Sequence, residues 1–362
     1  MNNSDFLMIY SDVIISKGAV KMILVDTSRN KVFELPKSFL YLIKDLKKYP
    51  VAELRLKYND ENFESFIQFI LDQDLGMMTS SPEMFPDIER TFESPEHINN
   101  AILEFYSPKS YDKYSTRIQK LDDLGCKFYE FRIHFCLEKE MLENIFSTIQ
   151  FNSLKSINIL SLNSPEIRDE HYLDILREFP FIKSICVFNS PADENVKNED
   201  MMKDQRLYYL KENLDNKNCG KISLSNLFIR GTDQIVENIS HNSCLHKKIS
   251  IDNDGNIKNC PSMQQFYGNI DKENLLQVVS NKSFRKLWDL TKDKISVCKD
   301  CEFRYLCTDC RAYTDRDQFN EEGIDLSKPL KCGYNPYTGE WADWSTNPLK
   351  HDAIKYYDMM IK

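Results

Sequence analysis

Cysteine is concentrated in the C-terminal third of the chain, and this concentration constrains the fold more than any other feature of the sequence. Seven of the 11 cysteines lie between residues 244 and 332. They are Cys244, Cys260, Cys298, Cys301, Cys307, Cys310 and Cys332. Two C-x2-C pairs stand five residues apart, and each pair places two thiols on one tight turn. Because iron–sulfur clusters and zinc both select thiolate ligands, this stretch is predicted to fold around metal, and its spacing leaves open which metal.

The rest of the composition favours metal ligation over a disulfide framework. The first residues, Met1–Asp5, do not begin a signal peptide, and no run approaches the roughly 18 apolar residues of a membrane-spanning helix. We therefore expect a cytoplasmic protein, in which thiols stay reduced. A disulfide framework is the alternative, although 11 is an odd number of cysteines. The net charge of -9 argues against a broad nucleic-acid surface.

Residues 1–80 are predicted to form a small α/β domain. Its predicted strands cover 6–15, 21–26 and 31–34. Three helices are predicted after them: one begins at Pro36, the second covers 51–58 and the third covers 61–74. Three strands followed by three short helices are typical of a winged helix, and a generic packed cap is the alternative. Residues 81–98, with several prolines and serines, are predicted to be a linker.

A strand–helix repeat dominates residues 99–240. Four apolar runs begin 27, 28 and 28 residues apart, with amphipathic stretches between them. This alternation predicts βα units on a parallel sheet, either barrel-like or open. The predicted strands are Ala101–Tyr106, Phe128–Ile133, Ser156–Ser161 and Ser184–Asn189, and the predicted helices between them are 114–124, 137–151 and 166–179. A polar helix at 193–214, a strand at 222–230 and a helix at 232–240 are predicted to follow.

The cysteines belong to a predicted domain at residues 241–345, which a C-terminal helix at 346–362 follows. Asp254 and Gly255 form a hairpin turn signal between short strands predicted at 246–251 and 256–258. Such a hairpin would bring Cys244 and Cys260 to the same end, as two ligands of one metal centre require.

This cysteine order, together with the hairpin, resembles the SPASM domain of radical S-adenosylmethionine peptide maturases. The Cys307–Cys310 gap is two residues, where many members of that family have three. The resemblance implies two auxiliary [4Fe–4S] clusters. Cluster I would be held by Cys244, Cys260 and Cys310, and cluster II by Cys298, Cys301, Cys307 and Cys332.

Cluster I is one protein ligand short in this assignment. Water, a substrate group, His241, His246 or the more distant Cys219 could take the fourth position. For each histidine, an ordinary surface or turn residue is the alternative.

The chain departs from radical S-adenosylmethionine enzymes at the first predicted βα loop. Those enzymes carry C-x3-C-x2-C there, whereas residues 107–112 of this chain contain no cysteine. The usual Gly-Gly-Glu contact to the cofactor is also missing after the second predicted strand, at 134–139. Cys126, Cys136 and Cys186 are scattered and are predicted to be small buried hydrophobic residues. We therefore expect no cleavage of S-adenosylmethionine.

A narrower family combines these features, the SPASM-domain peptide maturases of grasp-with-spasm systems, which are encoded beside an ATP-grasp ligase and a short precursor peptide. Further similar segments are 17–24, 82–86, 124–126 and 334–341. The resemblance implies a fold with a winged-helix-like domain that recognises the precursor, a degenerate partial (βα) barrel and the SPASM domain. Such recognition domains add the peptide as a strand at a sheet edge, here expected in the sheet within residues 6–34 and near the helix at Pro36.

Two functions of different classes follow from these observations. The first is a maturation factor for a ribosomally synthesised, post-translationally modified peptide, with a precursor peptide and an ATP-grasp ligase as partners. The second is a non-catalytic scaffold with structural iron–sulfur clusters or zinc. The sequence leaves open whether the chain is itself an enzyme and whether the clusters are structural, bind substrate or transfer electrons.

Overall fold

The computed structural model describes residues 5–87, 89–199, 201–229 and 231–359. The chain divides into two compact units. The first unit comprises Met1–Glu93, Gly220–Ser243 and Leu290–Lys362, and the second comprises Ser94–Cys219 and Cys244–Asp289. No helix in the described ranges is long and apolar enough to cross a membrane.

The regular elements follow one another in mixed α/β order. The strands are β1 (Phe6–Ile9), β2 (Val13–Lys17), β3 (Lys21–Asp26), β4 (Lys31–Pro36), β5 (Gly76–Thr79), β6 (Asn100–Phe105), β7 (Phe128–Cys136), β8 (Ser156–Leu162), β9 (Ile182–Phe188), β10 (Glu194–Val196), β11 (Arg206–Tyr209), β12 (Lys248–Ile251), β13 (Ile257–Lys258), β14 (Tyr334–Asn335) and β15 (Glu340–Trp341). The α-helices are α1 (Leu40–Leu46), α2 (Val51–Tyr58), α3 (Glu61–Asp72), α4 (Tyr111–Asp122), α5 (Lys139–Ser147), α6 (Asp169–Glu178), α7 (Thr232–Ser240), α8 (Leu275–Ser280), α9 (Lys282–Arg285) and α10 (His351–Tyr356).

The first unit is built on the antiparallel sheet β2-β3-β4. Its central strand, β3, is buried on both faces. Leu24 on one face belongs to a core that includes Phe66 of α3. Ile23 on the other face packs in a second core with Phe303, which lies in the cysteine-rich segment. The N-terminal sheet and the cysteine-rich segment therefore share a hydrophobic core.

The second unit contains one eight-stranded sheet, in the order β10-β11-β9-β8-β7-β6-β12-β13. Neighbouring strands from β11 to β12 run parallel, and β10 and β13 are antiparallel additions at its edges. The predicted α/β class and the four predicted parallel strands are therefore confirmed. One face of the sheet is apolar and packs against the helices, for example through Phe131 and Ile159.

Three local predictions were wrong. The predicted polar helix at 193–214 contains β10 and β11 instead, because β11 pairs with β9 and the buried Gln205 amide donates to the Leu176 and Ile182 carbonyls at 2.8 and 3.0 Å. Tertiary pairing outweighs local composition at such a position. The predicted strand at 222–230 has a 3-10 turn at Leu224–Asn226, and Arg230 lies outside the described residues. The predicted strand at 6–15 is divided into β1 and β2 by a turn.

The ends of the chain agree with the predictions in part. Strand β5 pairs with β1 and was not predicted. Helix α10 covers part of the predicted C-terminal helix, and residues 360–362 lie outside the described ranges. The predicted domain boundaries at 80, 98, 240 and 345 stay a prediction.

Candidate functional site

Four of the predicted ligands line one cavity in the first unit. They are the cluster II set, Cys298, Cys301, Cys307 and Cys332. Apolar side chains, including Ile222 and Val297, form part of the wall. Three cationic side chains, Lys292, Arg304 and Lys328, line the same cavity.

Tight turns position these thiols. Cys298 begins a 3-10 turn, and the Cys301 amide donates to the Cys298 carbonyl at 3.0 Å. The preceding Val297 has φ of 65°. This conformation costs a β-branched residue on the order of 1–3 kcal/mol, and such strain is typical of functional sites. The Cys307 amide donates to the Phe303 carbonyl at 3.1 Å, which anchors the second C-x2-C pair on the shared core.

Burial strongly disfavours free thiolates in this cavity. Burial raises the pKa of Cys298, and so do the nearby acidic groups Asp309, Cys307 and Cys332. Burial also raises the pKa of Cys307 to about 12, although the Lys292 ammonium lowers it. Such thiols hold their protons at neutral pH unless a metal cation replaces them, because thiolate is the form that binds metal.

The donor set fits an iron–sulfur cluster in its chemistry. Four thiols surround one cavity, and buried cations offset the negative charge that a metal–thiolate cluster carries. The Lys292 side chain is 3% exposed and donates to the Ser243 hydroxyl at 2.8 Å, and it also donates to the Cys307 carbonyl. Among the residues that the structure describes, no three His, Cys, Asp or Glu side chains are close enough to hold a single metal ion.

Cys310, the third predicted ligand of cluster I, also lies in the first unit. It is flanked by a buried ion pair in which the Arg311 guanidinium lies 2.7 Å from the Asp309 carboxylate. The Asn242 amide donates to the same carboxylate at 2.7 Å. Gly220 packs against Cys310, since a Cβ at Gly220 would lie 2.8 Å from the Cys310 Sγ. These contacts fix the Cys310 backbone.

Cys244 and Cys260 lie in the second unit, on either side of the confirmed hairpin β12–β13. The half-buried Lys248 on β12 lies with its Nζ 3.8 Å from the Cys244 Sγ. Desolvation opposes the charge of the Lys248 ammonium, but Cys244, Cys260, Glu130 and Cys219 raise its pKa overall. Cys244 is therefore the thiol in direct contact with Lys248, and Cys260 and Cys219 add to the field that favours its charged form.

Cys219 was one of several groups that the sequence offered as the fourth ligand of cluster I. It follows a 3-10 turn at Asn216–Asn218, which Arg132 and Ser262 hold through hydrogen bonds to Asn216. The spacing of Cys219 relative to the other cysteines did not indicate its effect on Lys248, because Cys219 lies in an irregular segment of the chain.

The two histidines proposed for the open position make other contacts. His241 Nε2 lies 3.2 Å from the Phe92 carbonyl. The His246 ring packs edge-on against Trp288, with ring centroids 5.6 Å apart. These contacts agree with the ordinary structural roles given as the alternative.

Polar side chains cover the other face of the parallel sheet, which we call the polar face. It carries Glu104 of β6, Glu130, Arg132 and His134 of β7, and Lys248 of β12, and Glu104 stands beside Arg132 in register. Arg132 Nε donates to the Glu130 carboxylate at 2.6 Å. Burial raises the pKa of Glu104, which Arg132 opposes. The polar–apolar alternation of β7 was the sequence signal for this face, since strands buried on both faces are continuously apolar.

A second cavity opens at the carboxyl ends of β6 and β7. It has a volume of about 280 Å³ and is lined by Tyr106, Arg132, His134, Leu214, Asp215 and Asn216. The Tyr106 and His134 rings are stacked, with centroids 4.2 Å apart and planes 15° apart. Burial, followed by Arg132, lowers the pKa of His134, so this imidazole is neutral at neutral pH. No sequence motif marks this cavity, because its lining comes from three separate segments of the chain.

Comparison with known proteins gives distant structural similarity only. No protein-family model matches the chain, and no curated protein sequence matches it. Among solved structures, the chain is similar to the crystal structure of Streptococcus suis SuiB bound to precursor peptide SuiA. The similarity has a TM-score of 0.29 at 11% sequence identity, and it covers 84% of this chain and 96% of that chain. A TM-score this low carries no inference about fold or function, so the geometry of the chain has to carry the proposal.

Proposed function

We propose that this chain is a maturation factor for a ribosomally synthesised, post-translationally modified peptide. It binds the precursor peptide, holds two [4Fe–4S] clusters and acts with an ATP-grasp ligase that forms ester or amide links. The observation that carries the proposal is the cavity lined by four cysteines, whose walls share a core with a sheet that has an exposed edge. The ligase partner rests on the family resemblance alone.

The metal part of the proposal is supported by the chemistry of the thiols. Cys298, Cys301, Cys307 and Cys332 would hold cluster II, with Lys292 and Lys328 compensating its charge. For cluster I we keep the assignment to Cys244, Cys260 and Cys310 that the family resemblance implies. We favour Cys219 as its fourth ligand, because Cys219 belongs to the same unit as Cys244 and Cys260 and, like them, raises the pKa of Lys248. Bound clusters would supply structural cross-links, electron transfer or a Lewis-acidic iron.

The peptide part of the proposal is supported by the edges of the N-terminal sheet. Strand β4 pairs with β3 alone in the described part of this sheet, and most of its residues are exposed or half-buried. Strand β2, at the opposite edge, is mostly buried, and its Lys17 carbonyl accepts a hydrogen bond from Arg304 at 2.6 Å. An extended peptide can therefore add to β4, where main-chain hydrogen bonds supply affinity and side chains supply specificity.

A titration with the full-length chain tests this function. The probe is the short peptide encoded beside the gene, labelled with a fluorophore and titrated under anaerobic conditions. Val32 on β4 is 39% exposed. Replacing it (Val32→Asp) places a carboxylate at the edge where the peptide pairs, and we expect binding to weaken by about tenfold, since ordered edge contacts are lost.

Leu56→Asp is the matched control, because Leu56 on α2 is 86% exposed and lies outside the sheet. Its affinity should equal that of the unmodified chain. Failure of the peptide to bind the unmodified chain, or equal losses in both variants, would overturn recognition at β4.

A further inference from the structure

We propose that the cavity at the carboxyl ends of β6 and β7 binds a neutral amide group of a peptide. This β6–β7 cavity is lined by residues of the second unit alone. Ligands of α/β proteins with open parallel sheets bind outside the carboxyl ends of the strands. The volume of about 280 Å³ is close to the lower end of small-molecule sites, which begin at about 300 Å³.

Two hydrogen-bonding groups in the cavity have no hydrogen-bond partner among the described residues. The His134 Nε2 atom is buried, and no hydrogen bond to it is found among the described residues. Arg132 uses Nε for Glu130 and Nη1 for Asn216, while its Nη2 makes no hydrogen bond within the described part of the chain. Arg132 Nη2 is a donor, and the neutral imidazole donates from Nε2 in one of its two tautomers. Together they select an acceptor oxygen.

The charge near these donors disfavours an anion. Glu130 neutralises Arg132, and Glu104 and Asp215 add further negative charge on the polar face and at the cavity wall. Two further cations lie near these groups. Lys258 is paired with Asp252 at 3.5 Å, and Lys248 of the polar face also interacts with Glu130 but has its ammonium 3.8 Å from the Cys244 thiol. A carboxylate or phosphate would therefore meet repulsion, whereas a neutral carbonyl oxygen accepts from both donors without this cost.

The remaining walls complete an amide site. The stacked rings of Tyr106 and His134 offer a flat platform for a planar group. Asp215 lines the cavity, and its carboxylate accepts from the Lys217 amide at 2.7 Å; since a carboxylate has about four lone-pair sites, it can also accept from an amide N–H. A group with one carbonyl acceptor, one or two N–H donors and a flat face matches this inventory, and both an Asn or Gln side chain and a main-chain peptide group have that chemistry.

The identity of the natural ligand rests on the proposed function, since a bound precursor peptide would supply the amide. The cavity can be tested without the precursor. Three probes are N-acetyl-L-asparagine methylamide, the corresponding L-aspartate compound and the corresponding L-alanine compound. Each is titrated against the anaerobically purified full-length chain, and binding is measured by saturation-transfer NMR.

We expect the asparagine probe to bind and the aspartate probe to bind more weakly. His134→Phe keeps the aromatic ring beside Tyr106 but removes Nε2, and it should weaken the asparagine probe by about fivefold, the effect of one hydrogen bond. His97→Phe is the matched control, because His97 is exposed in the same unit and does not line the cavity. Its affinity should be unchanged.

A second variant keeps the test decisive if His134→Phe does not fold. Asp215 is exposed, and Asp215→Asn preserves its shape while removing its charge. This variant should bind the aspartate and asparagine probes with more similar affinities than the unmodified chain does. Equal binding of the alanine and asparagine probes supports the site and identifies the main-chain amide as the group bound.

Three outcomes would overturn the proposal. They are the absence of binding by any probe, tighter binding of the aspartate probe than of the asparagine probe, and equal losses in His134→Phe and His97→Phe. None of them bears on peptide addition at β4, which is measured separately, so failure of this inference and failure of the proposed function are distinguishable.

Discussion

At the residue scale, the cysteine positions were the most predictable part of the candidate site. The family resemblance grouped Cys298, Cys301, Cys307 and Cys332 as ligands of one cluster, and all four line one cavity. The partners of these thiols could not be predicted, because Lys292 and Arg304 reach the cavity through tertiary packing rather than through a sequence motif. The same holds for Lys248, whose neighbours come from three separate segments.

One prediction concerns a single thiol of cluster II. Cys301→Ser should lower the iron content by about four atoms per chain and lower the melting temperature, because metal binding there contributes to folding free energy. Cys136→Ser is the control, since its Sγ contacts only the Asn163 carbonyl, at 3.9 Å, among the hydrogen bonds of the described residues. Anaerobic iron analysis and thermal unfolding measure both effects. Unchanged iron in Cys301→Ser would contradict the assignment.

A second prediction concerns the pH dependence of stability. Burial raises the pKa of Asp315 to about 6, although Lys350 lies 3.6 Å away and lowers it. The folded chain therefore binds this proton more tightly than the unfolded chain, in which the pKa is about 3.9. The resulting stability is fully present below about pH 4 and is lost as pH rises through about 6.

Asp315→Asn isolates this contribution, because the amide does not titrate. Between about pH 4 and pH 7, the unmodified chain should lose about 2 kcal/mol of unfolding free energy relative to the variant. Urea denaturation of both chains across this range measures the difference. Parallel stability curves would show that Asp315 titrates normally.

At the element scale, sequence periodicity predicted the βα repeat, and a turn signal predicted the hairpin. Neither predicted the conformation of the segment that connects them. The runs at β6 to β9 are apolar and evenly spaced, so their pairing followed from general rules for parallel sheets. Strands β10 and β11 lie in polar sequence, and the hydrogen bonds of Gln205 to neighbouring segments stabilise β11 beside β9. Local sequence cannot encode a partner 23 to 29 residues away.

A third prediction tests the hairpin that carries Cys244 and Cys260. Gly255 has φ of 88°, and a Cβ there would lie 2.5 Å from Arg117 Nη2. This guanidinium donates to the hairpin carbonyls of Asp252 and Asn253 and pairs with Asp271. Gly255→Ala should destabilise the chain by more than about 1 kcal/mol, since strain and displacement of Arg117 act together.

Gly323→Ala provides the control for backbone strain alone. Gly323 has φ of 69°, and a Cβ there would meet nothing within 4 Å. In urea denaturation, Gly323→Ala should lower the free energy of unfolding by less than Gly255→Ala does. Equal costs would mean that the Arg117 contact does not support the hairpin.

At the scale of the whole molecule, each compact unit is assembled from separate stretches of the chain and not from one continuous stretch. Residues 1–80 were predicted as one domain by their sequence pattern, and in the structure Ile14 and Val25 of this stretch share a core with Phe303 and Leu306. The Ala19 amide also donates to the Asp300 carbonyl at 2.7 Å, next to the first C-x2-C pair. Contacts between residues almost 300 positions apart have no local sequence signature, so only the structure could reveal that the exposed edge at β4 and the four-cysteine cavity belong to one unit.

The proposal that this chain holds two iron–sulfur clusters is tested by purifying the full-length chain without oxygen and measuring iron, acid-labile sulfide and zinc per chain. We predict about eight irons and about eight sulfides, with the broad visible absorption of [4Fe–4S] clusters. Stoichiometric zinc without sulfide would contradict it and would favour a structural zinc scaffold.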